Sequence, residues 1–345
     1  MTVSNNTGNG DAGAQQVQPL GVRLIPFFDR FGILIVILLI GFAMWALQPD
    51  VFFTWRNITN IFKQTAAISM LSIGMFLVIL TAGIDLSVGS VLALGMMTLA
   101  VANAHGWPWP VVLVLSPIMG MIAGFINGMG ITKLRMPHPF IMTLGMLFMA
   151  RGLANLISGG VPYSGLPYAV RYIGSARIYL GEIDGTRLNL PVVLIATIVV
   201  YFIFWVLLEH TVFGRRVYAI GGNPQAARVS GINVEKMLVI VYTLCGLMAG
   251  VAGLIMAGRT NSGFPNAGIG MELEAIAAVI IGGASFFGGR GHVLGIFGGV
   301  IIMGLIKNGL NLNDVSSFWQ QILIGAIIVL AVFIDVLRRD LGTRR

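Results

Sequence analysis

Long apolar segments recur along the whole chain, and they restrict it to one class of fold. A helix that crosses a bilayer needs about 20 apolar residues, and its backbone groups must be hydrogen-bonded within the protein. A transmembrane β-barrel would alternate polar and apolar residues in shorter segments. The sequence therefore predicts an all-α polytopic membrane protein with about ten transmembrane helices. They are predicted at residues 31–47, 66–82, 88–104, 111–131, 140–157, 190–208, 237–257, 273–287, 293–306 and 318–337.

Composition and the placement of charge support this class. Apolar residues make up 57% of the chain and charged residues only 10%, unlike a soluble globular domain. The net charge of +8 does not indicate a nucleic-acid partner, because the basic residues lie in short connections between apolar segments. Basic residues favour the cytoplasmic side of a membrane, which places both termini in the cytoplasm. The only cysteine, Cys245, lies in an apolar segment and excludes an intrachain disulfide.

The same pattern divides the chain into three parts. Residues 1–30 are predicted to be a disordered cytoplasmic tail, because the first twenty are polar and lack an apolar core. Residues 31–337 form the transmembrane domain, and residues 338–345 form a basic cytoplasmic tail. Glycine-interrupted, polar-marked regions at 83–95 and 282–299 are compatible with two five-helix halves. Broken segments at corresponding positions of two halves are typical of a transport path.

A glycine-rich apolar run from 272 to 310 has two interpretations. Glycine lets helices approach closely in a bilayer, so Gly282 and Gly283 could serve helix packing. Alternatively, the run could be a short, interrupted segment that lines a solute path. Residues 259–270 before it are rich in Gly, Asn and Pro and predict a loop. Near the end of the run, Asn308 could contact a solute or form an interhelical hydrogen bond.

Asp85 is the most informative single residue, because a carboxylate between two apolar segments is costly in a membrane. It could cap a helix that starts at Leu86, with Ser87 in the first turn. It could also take part in a solute path or gate, and the two roles are compatible. The amide of Asn127 could contact a hydroxylated solute or bond another helix. Arg151, inside the fifth segment, is expected to snorkel, to pair with a carboxylate or to face a water-filled cavity.

The sequence carries no signature of catalysis or metal binding. Glu272 and Glu274 are two residues apart on a predicted helix, so they do not share a face and do not form an acid/base pair. Glu272 remains a candidate for the solute path. The four histidines are far apart, and the P-loop, zinc-protease and hydrolase motifs are absent. The sequence therefore predicts neither an enzyme nor a catalytic site, a metal site or a cofactor of its own.

Residues 214–234 form a polar stretch that predicts a short exposed helix between two spans. The Asn-Pro pair at 223–224 favours a helix start, and Gly231 favours its end. The small residues between them would let a partner approach closely. The stretch is either an ordinary loop or a docking helix for a cleft in a cytoplasmic partner. The residues that would serve the docking are Asn223, Ala226, Ala227, Arg228 and Gly231.

Three stretches together resemble the permease subunits of ribose-type bacterial ABC sugar importers, in the superfamily that includes branched-chain amino acid permeases. The stretches are GIDLSVGS at 83–90, AIGGNPQAARVSGINV at 219–234, and ELEAIAAVIIGGASFFGGRGHVLGIFGGVIIMGLIKNGL at 272–310. The resemblance runs from about residue 30 to residue 337 and leaves out only the tails. Ala284 stands where that family often has threonine or serine.

The resemblance implies a multi-pass subunit of the bacterial inner membrane. Two permease subunits, identical or related, would form the pore. Two cytoplasmic ATPase subunits would bind the ATP, and a periplasmic binding protein would deliver the sugar. The stretch 219–234 would be the coupling helix that docks on the ATPase, with Asn223, Ala226, Ala227, Arg228 and Gly231 at the matched positions.

Several alternatives stay open from the sequence alone. The solute could be a pentose, a hexose, an autoinducer-like sugar, a nucleoside or a branched-chain amino acid. A stand-alone secondary transporter would need an intramembrane coupling carboxylate, and Asp85 is the one candidate for that role.

Overall fold

The protein is predominantly helical in a computed structural model that describes residues 20–343 apart from 135, 137 and 184. The first 19 residues of the predicted tail and the last two residues of the chain lie outside the described residues. The helices are α1 (Leu20–Leu47), α2 (Trp55–Leu80), α3 (Val88–Ala104), α4 (Trp109–Lys133), α5 (Pro139–Ser158), α6 (Tyr168–Ser175), α7 (Val192–Glu209), α8 (Val212–Gly222), α9 (Pro224–Val229), α10 (Val234–Thr260), α11 (Met271–Ile281), α12 (Val293–Leu312) and α13 (Ser317–Thr343).

The described helices identify a multi-pass membrane protein. Seven of them are long and apolar enough to cross a membrane: α2, α4, α5, α7, α10, α12 and residues 317–337 of α13. Two shorter apolar stretches are Gly32–Leu47 of α1 and the whole of α3. Each predicted segment overlaps one of these helices or α11. The count of ten spans and the side on which each terminus lies stay predictions.

Four helices differ in extent from the predictions. α1 begins at Leu20, within the predicted tail, and α13 continues through the predicted basic tail to Thr343. α2 begins at Trp55, because the Thr54 side chain caps it by accepting a hydrogen bond from the backbone of Asn57 at 3.3 Å. α11 has only 11 residues, which is about 16 Å of helix and half of a bilayer core.

The described residues also form two small antiparallel sheets, which the apolar pattern did not predict. β1 (Tyr163–Ser164) pairs with β4 (Ser262–Gly263). β2 (Arg177–Ile183) and β3 (Thr186–Pro191) form a hairpin within the long polar stretch before α7.

The core is built around α2 and α10. α10 packs most extensively on α4 and also on α2 and α3. Glycines bring the α4 and α10 backbones together: a Cβ at Gly124 would lie 3.0 Å from the Cα of Gly246, and one at Gly120 would lie 2.8 Å from the Cα of Gly250. Close backbone contact of this kind replaces hydrophobic driving force between membrane helices. The apolar side chains of α5, α7 and α13 are in large part exposed on the outside of this bundle.

Candidate functional site

A buried polar cluster occupies the connection between α2 and α3. Asp85 is 1% exposed, and its Oδ1 accepts hydrogen bonds from the Ser87 backbone N at 2.9 Å and the Ser87 Oγ at 2.6 Å. Asn127 of α4 donates its Nδ2 to Ser87 Oγ at 3.0 Å and to Asp85 Oδ2 at 3.4 Å. The structure thus brings together three residues that the sequence singled out separately. Neutral donors surround the carboxylate, and no ion pair to it is formed by any described residue.

Four elements meet at this cluster. Thr143 of α5 donates its Oγ1 to the carbonyl of Ile84 at 3.4 Å. Tyr242 of α10 places its hydroxyl 2.6 Å from where a Cβ of Gly83 would lie. Asn127 Oδ1 and Tyr242 Oη are buried and have no hydrogen-bond partner in the described part of the chain. A buried polar atom without a partner costs about 1–3 kcal/mol, so these atoms mark a place where the packing is not optimised for stability alone.

The capping role expected for Asp85 needs one correction. α3 begins at Val88 rather than Leu86, and Ser87 occupies the N-cap position without a side-chain cap of its own. Asp85 lies two residues earlier and accepts the Ser87 N–H instead. Its carboxylate therefore holds the turn that leads into the helix.

A second break follows α10. Gly263 packs against Met96 and Ala100 in the C-terminal half of α3, whereas Gly268 packs against Gly89 in the first turn of α3. Residues 89 and 100 are separated by about 16 Å along a helix. Residues 262–270, here termed the descending segment, therefore run beside α3 in a largely non-helical conformation before α11 starts. The sequence predicted a loop here, but not its depth.

Arg151 donates hydrogen bonds to the backbone carbonyl groups of the descending segment. Its Nη1 donates to the carbonyl oxygens of Pro265 at 2.6 Å and Ala267 at 2.7 Å. Non-helical backbone at membrane depth requires such partners, because lipid offers none. Glu272, in the first turn of α11, is close enough to Arg151 for electrostatic attraction. Of the roles expected for Arg151, a structural one inside the protein fits best.

The outer edge of the descending segment is open. Asn266 is exposed, and Ile269 is 67% exposed. Below this edge, Glu274 of α11 forms a 2.6 Å ion pair with Lys307 of α12. Sequence reasoning missed Asn266. Arg151 was the available signal. A charged residue inside a span needs a partner on another segment, and its partners are the residues on either side of Asn266.

Of the remaining path candidates, Asn308 and Gly282 lie at packed contacts between helices. Asn308 exchanges two hydrogen bonds of 2.9 Å with the amide of Asn57, and both side chains are buried. A Cβ at Gly282 would lie 2.8 Å from the Cα of Ile296, so this glycine allows α11 and α12 to touch. Gly283 instead has a φ of +85°, which favours glycine, and faces open space. Gly282 thus supports the packing interpretation of the glycine run, and the path interpretation stays a prediction.

The turn at 282–292 joins three elements. The Gly289 N–H donates to the Leu80 carbonyl at the end of α2 at 2.9 Å. Tyr218 of α8 donates its hydroxyl to the Gly291 carbonyl at 2.8 Å. Burial, helped by the negative charge of Glu209, raises the pKa of Tyr218 to about 12, so it remains a donor at neutral pH. The turn therefore connects α8 to the end of α2 through hydrogen bonds.

The segment that was predicted to dock on a partner contains the short helix α9, which confirms the predicted helix. Asn223 caps it by accepting from the backbone N of Gln225 and of Ala226, both at 3.0 Å. Ala227 is buried against the protein, whereas Ala226 and Arg228 are exposed. Val229, at the end of the helix, is 90% exposed.

The docking segment ends at a glycine. Gly231 ends the segment with a φ of +82°, a conformation that favours glycine. Within the described residues, no group of three His, Cys, Asp or Glu side chains could hold a metal ion.

Comparisons with known proteins identify a family of transport proteins. Residues 57–332 match the family model for the permease component of branched-chain amino acid transport systems. The chain is 42% identical to the ribose import permease protein RbsC of Bacillus subtilis over 315 residues, covering 91% of this chain and 92% of that protein. It is 40% identical to RbsC of Escherichia coli K12 over 302 residues, covering 88% of this chain and 92% of that protein.

A third relative carries a different sugar in its name. The D-allose transport system permease protein AlsC of Escherichia coli K12 is 35% identical over 323 residues, covering 93% of this chain and 95% of that protein. No solved structure matches the chain. The matches extend over the Asp85 cluster, the descending segment and α9 alike. The ribose and allose permeases are relatives of this chain. The chain therefore belongs to the family of permease components of branched-chain amino acid transport systems.

Proposed function

We propose that this protein is the permease subunit of an ABC importer that carries a monosaccharide across the bacterial inner membrane. The observation that carries the proposal is the relationship to permeases named for ribose and allose over about nine-tenths of the chain. The exposed face of α9 supports a cytoplasmic partner that binds the ATP. A periplasmic binding protein would deliver the sugar, and a second permease subunit, identical or related, would complete the pore.

Charge supports ten spans with both termini in the cytoplasm. The turn at 282–292 contacts α8 and the end of α2, and Lys133 at the end of α4 pairs with Glu235 at the start of α10 at 3.2 Å. These connections therefore belong to one side of the protein. That side is rich in basic residues, as expected of the cytoplasmic side. The residues are Lys133, Arg215, Arg216, Arg228, Lys236 and Arg290.

The contacts also provide a route for ATP-driven movement. An ATPase that docks on α9 would move α8, which is separated from α9 only by Asn223. Tyr218 passes this movement to the turn at 282–292, and Gly289 passes it to the end of α2. The Asp85 cluster lies five residues further along the chain. Rigid-body movement of packed helices about such contacts opens and closes transporters.

Transport by reconstituted protein tests the proposal. The permease, its genetically neighbouring ATPase and the corresponding binding protein are placed in proteoliposomes, and uptake of labelled ribose, allose and xylose is measured with and without ATP. We expect uptake of one sugar that needs ATP and stops with a catalytically inactive ATPase. Sugar uptake driven by a sodium or proton gradient without the ATPase would overturn the proposal in favour of a secondary transporter. ATP-driven uptake of leucine alone would replace the substrate class.

A further inference from the structure

We propose that Asn266 contacts the solute during transport, at a site on the descending segment that takes a neutral, hydroxylated molecule. This inference rests on the import function proposed above. It assigns a residue to solute recognition, which the relatives' names do not do.

The first step is the depth of Asn266. Gly263 lies beside Met96 and Ala100, and Gly268 lies beside Gly89. Asn266 lies between these two contacts along the chain and therefore within the length of α3, well inside the membrane. Its side chain is exposed and makes no hydrogen bond within the described part of the protein.

The second step is what can cover such a group. An amide in contact with lipid tails would lose its hydrogen bonds to water without replacement, which is strongly unfavourable. Arg151 holds the segment through the carbonyl groups of Pro265 and Ala267, which are buried, whereas Asn266 between them is exposed. Irregular backbone at this depth is tolerated where it lines a water-filled cavity. The edge therefore faces the solute path.

The third step is the chemistry of the ligand. A side-chain amide both donates and accepts hydrogen bonds, and a hydroxyl group does the same. The nearby cations are already used: Arg151 binds two carbonyl groups, and Lys307 pairs with Glu274 at 2.6 Å. No free cation is thus offered by these groups to a carboxylate of the solute. The site suits a neutral, hydroxylated solute rather than an amino acid.

Cysteine labelling tests whether Asn266 faces water. Cys245 is the only cysteine and is buried, so a Cys245→Ala chain provides the background. In the assembled importer, Asn266→Cys should react with a small water-soluble methanethiosulfonate reagent. Phe148→Cys is the matched control, because Phe148 is 68% exposed among the apolar residues in the middle of α5 and should remain unlabelled. An unlabelled Asn266→Cys that forms a disulfide with a second permease subunit would overturn the proposal and assign this edge to the subunit interface.

Transport tests whether Asn266 contacts the solute. Asn266→Ala should lower sugar uptake at limiting sugar by about tenfold, the effect of losing one or two hydrogen bonds. Asn266→Ser keeps a donor and an acceptor and should retain more uptake than the alanine variant. Assembly with the ATPase should be unchanged in both. Labelling at 266 with wild-type uptake in the alanine variant would overturn the contact. Absence of ATP-driven uptake in the wild type would instead remove the proposed function, and the solute contact with it.

Discussion

The two breaks in the membrane helices use polar residues in opposite ways. The break after α2 is short and turns its polar atoms inward, with Asp85, Ser87 and Asn127 bonded to one another and buried. The break after α10 is longer and is satisfied from behind by Arg151, so that Asn266 lies on an open edge. The first break joins neighbouring helices, whereas the second exposes a polar side chain on the surface of the chain.

The positions of the two breaks support the proposed five-helix halves. The region of the second half that corresponds to the break after α2 is not the one that the sequence indicated. Each break follows a long central helix, α2 with 26 residues or α10 with 27, which would be the second span of its half. The sequence compared residues 83–95 with 282–299 instead. The structure makes the descending segment the better counterpart, because 282–292 is a tight turn packed on α2 and α8. Broken helices at matching positions of two halves are typical of transporters.

The largest expected effect comes from Arg151→Gln, which removes the charge that holds the descending segment. Two carbonyl groups would lose charge-assisted hydrogen bonds, and we expect a loss of about 3 kcal/mol in stability together with loss of uptake. Thermal unfolding in detergent and ATP-driven uptake measure the two effects. Arg187→Gln is the matched control, because the Arg187 side chain is 78% exposed. Unchanged stability and uptake in Arg151→Gln would mean that the segment does not depend on Arg151.

The Asp85 cluster should be more sensitive to the loss of an acceptor than to the loss of a charge. Asp85→Ala leaves the donors of Ser87 and Asn127 without their partner and should cost about 2 kcal/mol in thermal unfolding experiments. Asp85→Asn keeps an acceptor for Ser87, and the unpartnered Oδ1 of Asn127 can accept from the new amide. The asparagine variant should therefore keep ATP-driven uptake within about threefold of wild type. Its complete inactivity at normal stability would point to a coupling carboxylate, as in a secondary transporter.

Local sequence was sufficient for the helices and insufficient for the contacts between them. Hydropathy placed a segment on each long helix, and the Asn-Pro and Gly signals placed α9. The same signals gave Asp85, Ser87 and Asn127 as separate candidates, because their hydrogen bonds depend on how α3 packs against α4. Of the sheets that the sequence did not predict, β1 and β4 have only two residues each and lie far apart in the chain, so no local pattern indicates their pairing.

The descending segment shows why depth is hard to predict. Its Gly, Asn and Pro residues correctly indicated non-helical backbone. Its depth follows from the glycine contact between Gly268 and Gly89 and from Arg151, which lies 114 residues before Pro265. Neither contact has a local signature. The shortness of the following apolar segment and the charge within α5 were the available hints.

A smaller effect is expected at the docking surface, where Arg228→Glu should weaken association with the ATPase. Arg228 is exposed on α9, so reversing its charge should leave folding and insertion intact. We expect about tenfold weaker association, measured by co-purification and by ATPase activity at limiting partner. Arg228→Lys keeps the charge and is the matched control. Full ATP-driven uptake by the glutamate variant would exclude α9 as the coupling helix. Intact cysteine labelling at 266 would show that the open edge forms independently of docking.

The smallest effect should come from Tyr218→Phe, which removes one hydrogen bond between α8 and the turn at 282–292. We expect about 1 kcal/mol and a few-fold drop in sugar moved per ATP hydrolysed, with ATPase activity unchanged. The pKa of Tyr218 is raised from 10 to about 12, so the hydrogen-bonding neutral form contributes fully below pH 10 and is lost only as the pH rises through 12. The difference between Tyr218→Phe and wild type should therefore be constant from pH 6 to about pH 9. A difference that changed across this range would assign the coupling to another titrating group. Unchanged sugar uptake per ATP would mean that the Tyr218 hydrogen bond does not carry the movement from α8 to the turn.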